Sequence, residues 1–282
     1  MRQPTRTSRP YIRWSFALVA CAGPLAAQTA PPPPYLEIFR EEVKVGRGGA
    51  HVLTEAGWPR AFARAKVPNH YIALTTSYGP AEAWFVDGRG SIGEIDEFNR
   101  QVGVAPGLTA ELDRLSAADA ANISSVRVIL GRYQAAMSNG PDIDVAAMRV
   151  WEVLIFRLKP GHEAQFARAA ALYRTLVEKA QVAAPWATYE VMAGMQGPTY
   201  LVWIPHKSLT EIDPAMGVGA AIEAAMTDSM GMQFGRYAEG YYSTEKIIFN
   251  VSPEMSYPSP EFLAQDPSFW GRKVKVPPKT TP

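Results

Sequence analysis

Apolar and polar residues follow two different periods along this chain, and the periods alternate in a repeated order. The run "YLEIFREEVK" places Leu36, Ile38 and Arg40 on one face of an extended segment and Glu37, Phe39 and Glu41 on the other, the two-residue alternation of a strand. "RVWEVLIFRLK" is a denser run of β-branched and aromatic residues, and both runs end at a glycine turn, as strands do. A helix is expected after each. In the second, Phe166, Ala170, Tyr173, Val177 and Ala180 step by fours and threes, which draws one apolar stripe down one side. The first is less regular. Pro59 in "GWPR" is expected to kink or divide it, because proline lacks the amide hydrogen that a helix interior uses. Two hairpins come next, "YIALTTSY" to "AEAWFVD" and "WATYEVMAG" to "TYLVWIP", each with Gly-Pro at the joint. Ser91 and Ser208 each have a glutamate three residues on, Glu94 and Glu211. That is capping-box spacing, so a helix start explains both glutamates without a catalytic role. The apolar runs "SSVRVILGRY" and "STEKIIFNVS" close the series.

The order β-α-β-β-α-β is thus written twice, and residues match as well as elements. At a shift of about 118 positions, "VKVG" lies against "LKPG", Gly79-Pro80 against Gly197-Pro198, "SIGEID" against "SLTEID", and "AAMS" against "PEMS". We place the first unit at 35–138 and the second at 148–256, with "QAAMSNGPDID" as linker. Each is a ferredoxin-like split unit, whose sheet has one face covered by its own helices and one face bare. The expected fold class is α+β, two tandem ferredoxin-like units with their sheets facing each other as an α/β barrel. The tail, 257–282, has no useful period and is expected to be irregular, pinned in part by Tyr257, Phe262, Phe269 and Trp270.

The ends change the picture of where the protein works. Arg2, Arg6, Arg9 and Arg13 precede the apolar "WSFALVACAGPLAA", the layout of a secretory signal peptide, taken here as 1–27. The apolar run is short of the roughly 20 residues that span a bilayer, so no transmembrane segment is expected. The exported protein would be periplasmic or secreted. "LVAC" offers a lipobox alternative, with lipid on Cys21. Cys21 is the single cysteine, and its removal with the leader would exclude disulfides, thiolate nucleophiles and cysteine metal sites. Loss of the four leader arginines takes the formal charge from +1 to −3, which gives no basic field for nucleic acid.

These features resemble the dimeric α/β-barrel superfamily, whose members include the antibiotic-biosynthesis monooxygenases, the stress-responsive barrel proteins and the NIPSNAP-like proteins. More narrowly, "REEVKVGRGGAH", "YGPAEAWFVDG", "GPTYLVWIPHKSLTEID" and "SPEMSYPSPEFLAQDPSFW" are similar to exported bacterial proteins of unknown function that carry two such units. The resemblance implies two sheets around a central cavity. It also brings in a haem-using or cofactor-free monooxygenase or isomerase as an alternative activity, and it carries over no shared set of catalytic residues.

The chemistry itself is sparsely signalled. The histidines, His51, His70, His162 and His206, have no metal-binding spacing, and only tertiary contact could assemble a site from them, so neither metal nor cofactor is assigned. His162 reads as a solvated residue at a helix start. There is no Gly-x-Ser-x-Gly elbow, and "GRGG" lacks the Lys-Ser/Thr of a phosphate loop. The remaining candidates are polar or aromatic residues on or beside short strands where they could line a space between the sheets: Arg40, His70, Thr75, Glu82, Trp84 and Glu190. The first functional reading is a module that holds a small apolar molecule there. Trp84 with Trp203 has a competing reading as ordinary core, and homo-oligomerisation is left open.

Overall fold

The computed structural model describes residues 31–140 and 142–274. The leader, Cys21 and the last residues of the tail lie outside that range. The first unit runs β1 (Tyr35–Val43), α1 (Gly48–Glu55), α2 (Gly57–Ala65), β2 (Tyr71–Tyr78), β3 (Glu82–Arg89), α3 (Gly93–Val104), α4 (Leu108–Asp119) and β4 (Ile123–Tyr133). The second runs β5 (Val150–Leu158), α5 (Glu163–Ala180), β6 (Ala187–Ala193), β7 (Thr199–His206), α6 (Ile212–Ala224), α7 (Asp228–Ala238) and β8 (Tyr241–Tyr257). Two short helices, α8 (Pro260–Gln265) and α9 (Pro267–Trp270), follow. None of the helices in the described residues is long and apolar enough to cross a membrane.

The strands close into one antiparallel barrel in the order β1-β3-β2-β8-β5-β7-β6-β4. Within it the halves repeat the same arrangement, β4-β1-β3-β2 and β8-β5-β7-β6. The two sheets are also joined edge to edge, β2 on β8 and β4 on β6, so among the described residues the barrel has no free sheet edge. One seam is carried by β8, which pairs over Tyr241–Asn250 with β5 and over Ile248–Tyr257 with β2. At the other seam Gly194 has φ +90° and lies so close to β4 that a Cβ would collide with the Val128 carbonyl oxygen. Only glycine meets both demands.

Alternation along the strands then decides what fills the barrel. Leu36, Ile38, Leu74, Trp84, Val86, Trp151, Val153, Leu201, Trp203 and Phe249 are buried in one core cluster. Trp84 packs 5.0 Å from Phe249 and 5.8 Å from Trp203, and Trp203 lies 6.1 Å from Trp151. Each such side chain contributes about 1.5–3 kcal/mol by leaving water, which suits a chain whose core must do without disulfides.

Local expectations fared differently. The first helix is divided, between α1 and α2 at Ala56, and Pro59 falls in the first turn of α2, where a missing amide hydrogen costs little. Neither capping box closes as expected: each glutamate reaches one residue past its serine, Glu94 Oε2 accepting the Gly90 N–H at 2.8 Å and Glu211 Oε2 the Lys207 N–H at 2.6 Å. The serine hydroxyls do not cap either, since α3 has no side-chain cap and Ser208 Oγ meets Thr210 Oγ1 instead. The tail is not irregular where it is described. Ser259 Oγ accepts from Phe262 N–H and Asp266 Oδ1 from Phe269 N–H, and Pro260 and Pro267 supply the preset φ of a first helical residue. Trp270 is buried and donates from Nε1 to the Ala146 carbonyl at 3.0 Å, beside an Arg149–Asp266 ion pair of 2.6 Å.

Candidate functional site

The residues chosen from sequence separate into four places. Arg40, Glu82 and Trp84 do come together inside the barrel. Arg40 Nη2 donates to Glu82 Oε1 at 2.6 Å, Trp84 Nε1–H donates to Glu82 Oε2 at 2.8 Å, and the guanidinium lies 5.2 Å from the Trp84 ring. Glu82 and Trp84 are buried, and each Glu82 oxygen already has a partner, so the triad reads as a polar strut within the core. Thr75 alternates with the inward Leu74 and pairs with Ala83 and Asn250 on the helix-facing side. Glu190 stands at the β4·β6 seam, where it accepts from Arg132 at 2.6 Å and Gln134 at 2.8 Å. His70 stacks 4.6 Å from Tyr257, and burial lowers its pKa.

The space between the sheets is correspondingly small. Trp84, Trp151, Trp203 and Phe249 fill its centre, leaving a recess of about 250 Å³ at one end, beside His70, Val86, Tyr189 and Phe262. A larger cavity of about 700 Å³ lies elsewhere, on the outer face of the second sheet, beneath α5, α6 and α7. Leu154, Phe156, Val202 and Ile204 form its floor, and Phe166, Tyr173, Val218 and Phe234 stand in its walls.

Into this apolar setting the strands carry three ionisable groups, Glu152, His206 and Lys246. Pairing of β5 with β7 sets Glu152 opposite Ile204 and Val150 opposite His206, so alternation puts both side chains on the outer face. His206 Nε2–H donates to Glu152 Oε1 at 2.8 Å, and Lys246 Nζ pairs with Glu152 Oε2. The hydrogen bond from His206 holds the Glu152 carboxyl below the usual carboxylate range, assisted by Lys246 and opposed by burial. A carboxylate that accepts at Nε2 fixes the neutral tautomer with its lone pair on Nδ1. Nδ1 makes no hydrogen bond among the described residues. The arrangement is an oriented base at the edge of an apolar cavity, with a cation beside it.

Glu152 was not singled out from the sequence, and His206 was noted there only as a histidine without metal-binding spacing. The usable signal was their position as polar residues on the outer phase of apolar strands, but pairing them needs the strand register. That register sets the two units side by side at the site. Tyr35 opposes Arg89 in the first unit just as Val150 opposes His206 in the second, which makes Glu37 the equivalent of Glu152 and Arg89 that of His206. Arg89 donates to Glu37 at 2.9 Å and pairs with Asp87 at 2.6 Å. The acid is retained in both units, and the base is unique to the second. Against the first sheet, Phe62, Leu108, Leu115 and Phe98 pack into a solid cluster.

No family model matches this chain, and no curated protein does. Solved structures do. An anthrone oxidase-like protein aligns at 10% identity over 80% of this chain and 94% of its own, with a TM-score of 0.52. A mutant chlorite dismutase from Candidatus Nitrospira defluvii aligns at 10% identity over 83% and 95%, with a TM-score of 0.48. A Fusobacterium nucleatum protein provisionally named a monooxygenase aligns at 8% over 78% and 93%, with a TM-score of 0.49. At these identities the likeness is one of fold alone: the chain has the dimeric α/β-barrel fold, with both halves of the barrel in a single polypeptide.

Proposed function

We propose that the protein takes a small, largely apolar molecule into the cavity outside its second sheet and that His206 removes a proton from it, an activity of the cofactor-free monooxygenase or isomerase type. The observation that carries this reading is the His206–Glu152–Lys246 constellation in the 700 Å³ cavity. Glu152 would stabilise the imidazolium formed when Nδ1 takes the proton, and Lys246 would place positive charge near an enolate oxygen as it develops. The apolar floor favours a hydrocarbon-rich ring system, and the anthrone oxidase-like neighbour suggests anthrone itself as a first probe. Anthrone supplied to the purified protein should quench tryptophan fluorescence and consume oxygen. His206→Ala should abolish turnover while retaining binding. Undiminished turnover in that variant, or no binding by the wild type, would refute the proposal.

The same imidazole supports a second reading, in which it would hold a haem group. An Nδ1 lone pair on a ring anchored by a carboxylate, at the edge of a large apolar cavity, would serve to hold that group, which would supply oxidative chemistry when bound. A haemin titration separates the two readings: a Soret shift lost in His206→Ala favours haem, and an unshifted spectrum removes it. Export to the periplasm or beyond is proposed on the leader sequence alone, and fractionation of cells producing the full chain tests it.

A further inference from the structure

Four ionisable side chains remote from that cavity converge on the first unit. Glu41 on β1, His51 and Glu55 on α1, and Asp119 at the end of α4 each offer one atom, and these atoms all lie within 4.8 Å of one another. His51 is 1% exposed, and its Nε2 has no hydrogen-bond partner. The nearest carboxylate oxygen, Glu41 Oε2 at 3.7 Å, is also unpartnered and is too far to accept a hydrogen bond. The other face of the ring is fully engaged. His51 Nδ1 lies 2.9 Å from Asp119 Oδ2, while Asp119 Oδ1 accepts from Thr54 and, at 2.9 Å, from Asn122.

We propose that Glu41, His51 and Glu55 are the ligands of a divalent transition-metal ion of the zinc type, with Asp119 positioning the imidazole. A carboxylate on Nδ1 fixes the histidine tautomer with the Nε2 lone pair directed at the ion, the usual outer-sphere arrangement for a metal-bound histidine. Ligands at zinc distances of about 2.0–2.1 Å stand about 3.4 Å apart in a tetrahedron, close to the 3.7 Å between Nε2 and Glu41 Oε2. An imidazole among the donors favours zinc or a similar ion over magnesium or calcium, which prefer all-oxygen sites. Two carboxylates and a neutral imidazole would give a divalent ion a net charge of zero in a buried setting.

The second unit provides an internal control. Lys44 N–H donates to Asn122 O as Lys159 N–H does to Gly240 O, and this register makes Phe156 the counterpart of Glu41 and Phe166 that of His51. Those two phenylalanines stack at 5.2 Å. The fold is therefore satisfied by an aromatic pair here, and the polar set in the first unit answers a need other than packing.

Cobalt(II), added to the chelator-treated full-length protein, is the probe. One cobalt per chain is expected, with ligand-field bands in the visible region and a rise in melting temperature. His51→Gln should lose both signals, and His206→Ala should keep both, so failure here is distinct from failure of the proposed activity. Uptake well below one ion per folded chain overturns the site, and so do bands that persist in folded His51→Gln or vanish in His206→Ala. Glu41→Gln, at a less enclosed strand position, should lose the bands as well, and serves if His51→Gln does not fold.

Discussion

Glutamine in place of Glu82 would leave the Arg40 guanidinium, whose side chain is 12% exposed, with no opposing charge inside the barrel. The side-chain shape is nearly conserved, and the amide oxygen can still accept from Trp84 Nε1, so the perturbation is chiefly electrostatic. Removing one partner of a buried pair costs about 3–5 kcal/mol, whereas replacing both with well-packed apolar residues is often neutral or stabilising. Glu82→Gln should therefore lower Tm by on the order of 10 °C, at about 2–4 °C per kcal/mol for a domain of this size. The double variant Arg40→Met with Glu82→Leu should recover most of that loss. Thermal unfolding followed by circular dichroism reads the shift, and urea titration with an unchanged slope confirms that the native state is the one affected. Equal destabilisation in the single and double variants would refute the strut. So would a Glu82→Gln loss below about 0.5 kcal/mol, the range of an ordinary surface change.

Asp87 is pushed by burial from 3.8 up to about 7, against the pull of Arg89. The folded state therefore holds a proton that the unfolded state has released, and stability falls as pH rises from about 4 to 7, by about 4 kcal/mol for a shift of this size. Asp87→Asn should flatten that part of the stability profile measured by denaturant titration, and an unchanged slope would contradict the assignment. Trp270→Ala removes a buried ring and its bond to Ala146, and should cost about 3–5 kcal/mol; a loss under 1 kcal/mol would show that the tail does not cap the barrel. The second unit expressed alone, residues 148–256, exposes the inner sheet face and two edges that the barrel closes. It should dimerise, and a stable monomer by sedimentation would count against the closure argument.

Much of the architecture was legible because its signals are periodic and local. Leu36, Ile38 and Arg40 share one face, as alternation assigned them, and that face is the inner one, while the repeated Gly-Pro joints sit between β2 and β3 and between β6 and β7. The sites were not legible, because their partners meet only through the fold. His206 and Glu152 are 54 residues apart, and His51 and Asp119 are 68 apart, with no shared motif to link them. Arg40, Glu82 and Trp84, polar or aromatic strand residues picked out by alternation, lie on the inner phase, which the tryptophans fill. The informative polar residues were on the outer phase, under the helices, where an apolar surface is required and an ionisable group costs most.

The correspondence between Glu37–Arg89 and Glu152–His206 bears on how such a molecule can change over time. When a barrel is assembled from two identical subunits, every mutation is installed in both lobes at once, and a change useful on one side must be tolerable on the other. Joining the lobes into one polypeptide removes that coupling. One lobe can then keep an open chamber with an imidazole, while its twin exchanges the base for arginine and closes over a polar nucleus of a different kind.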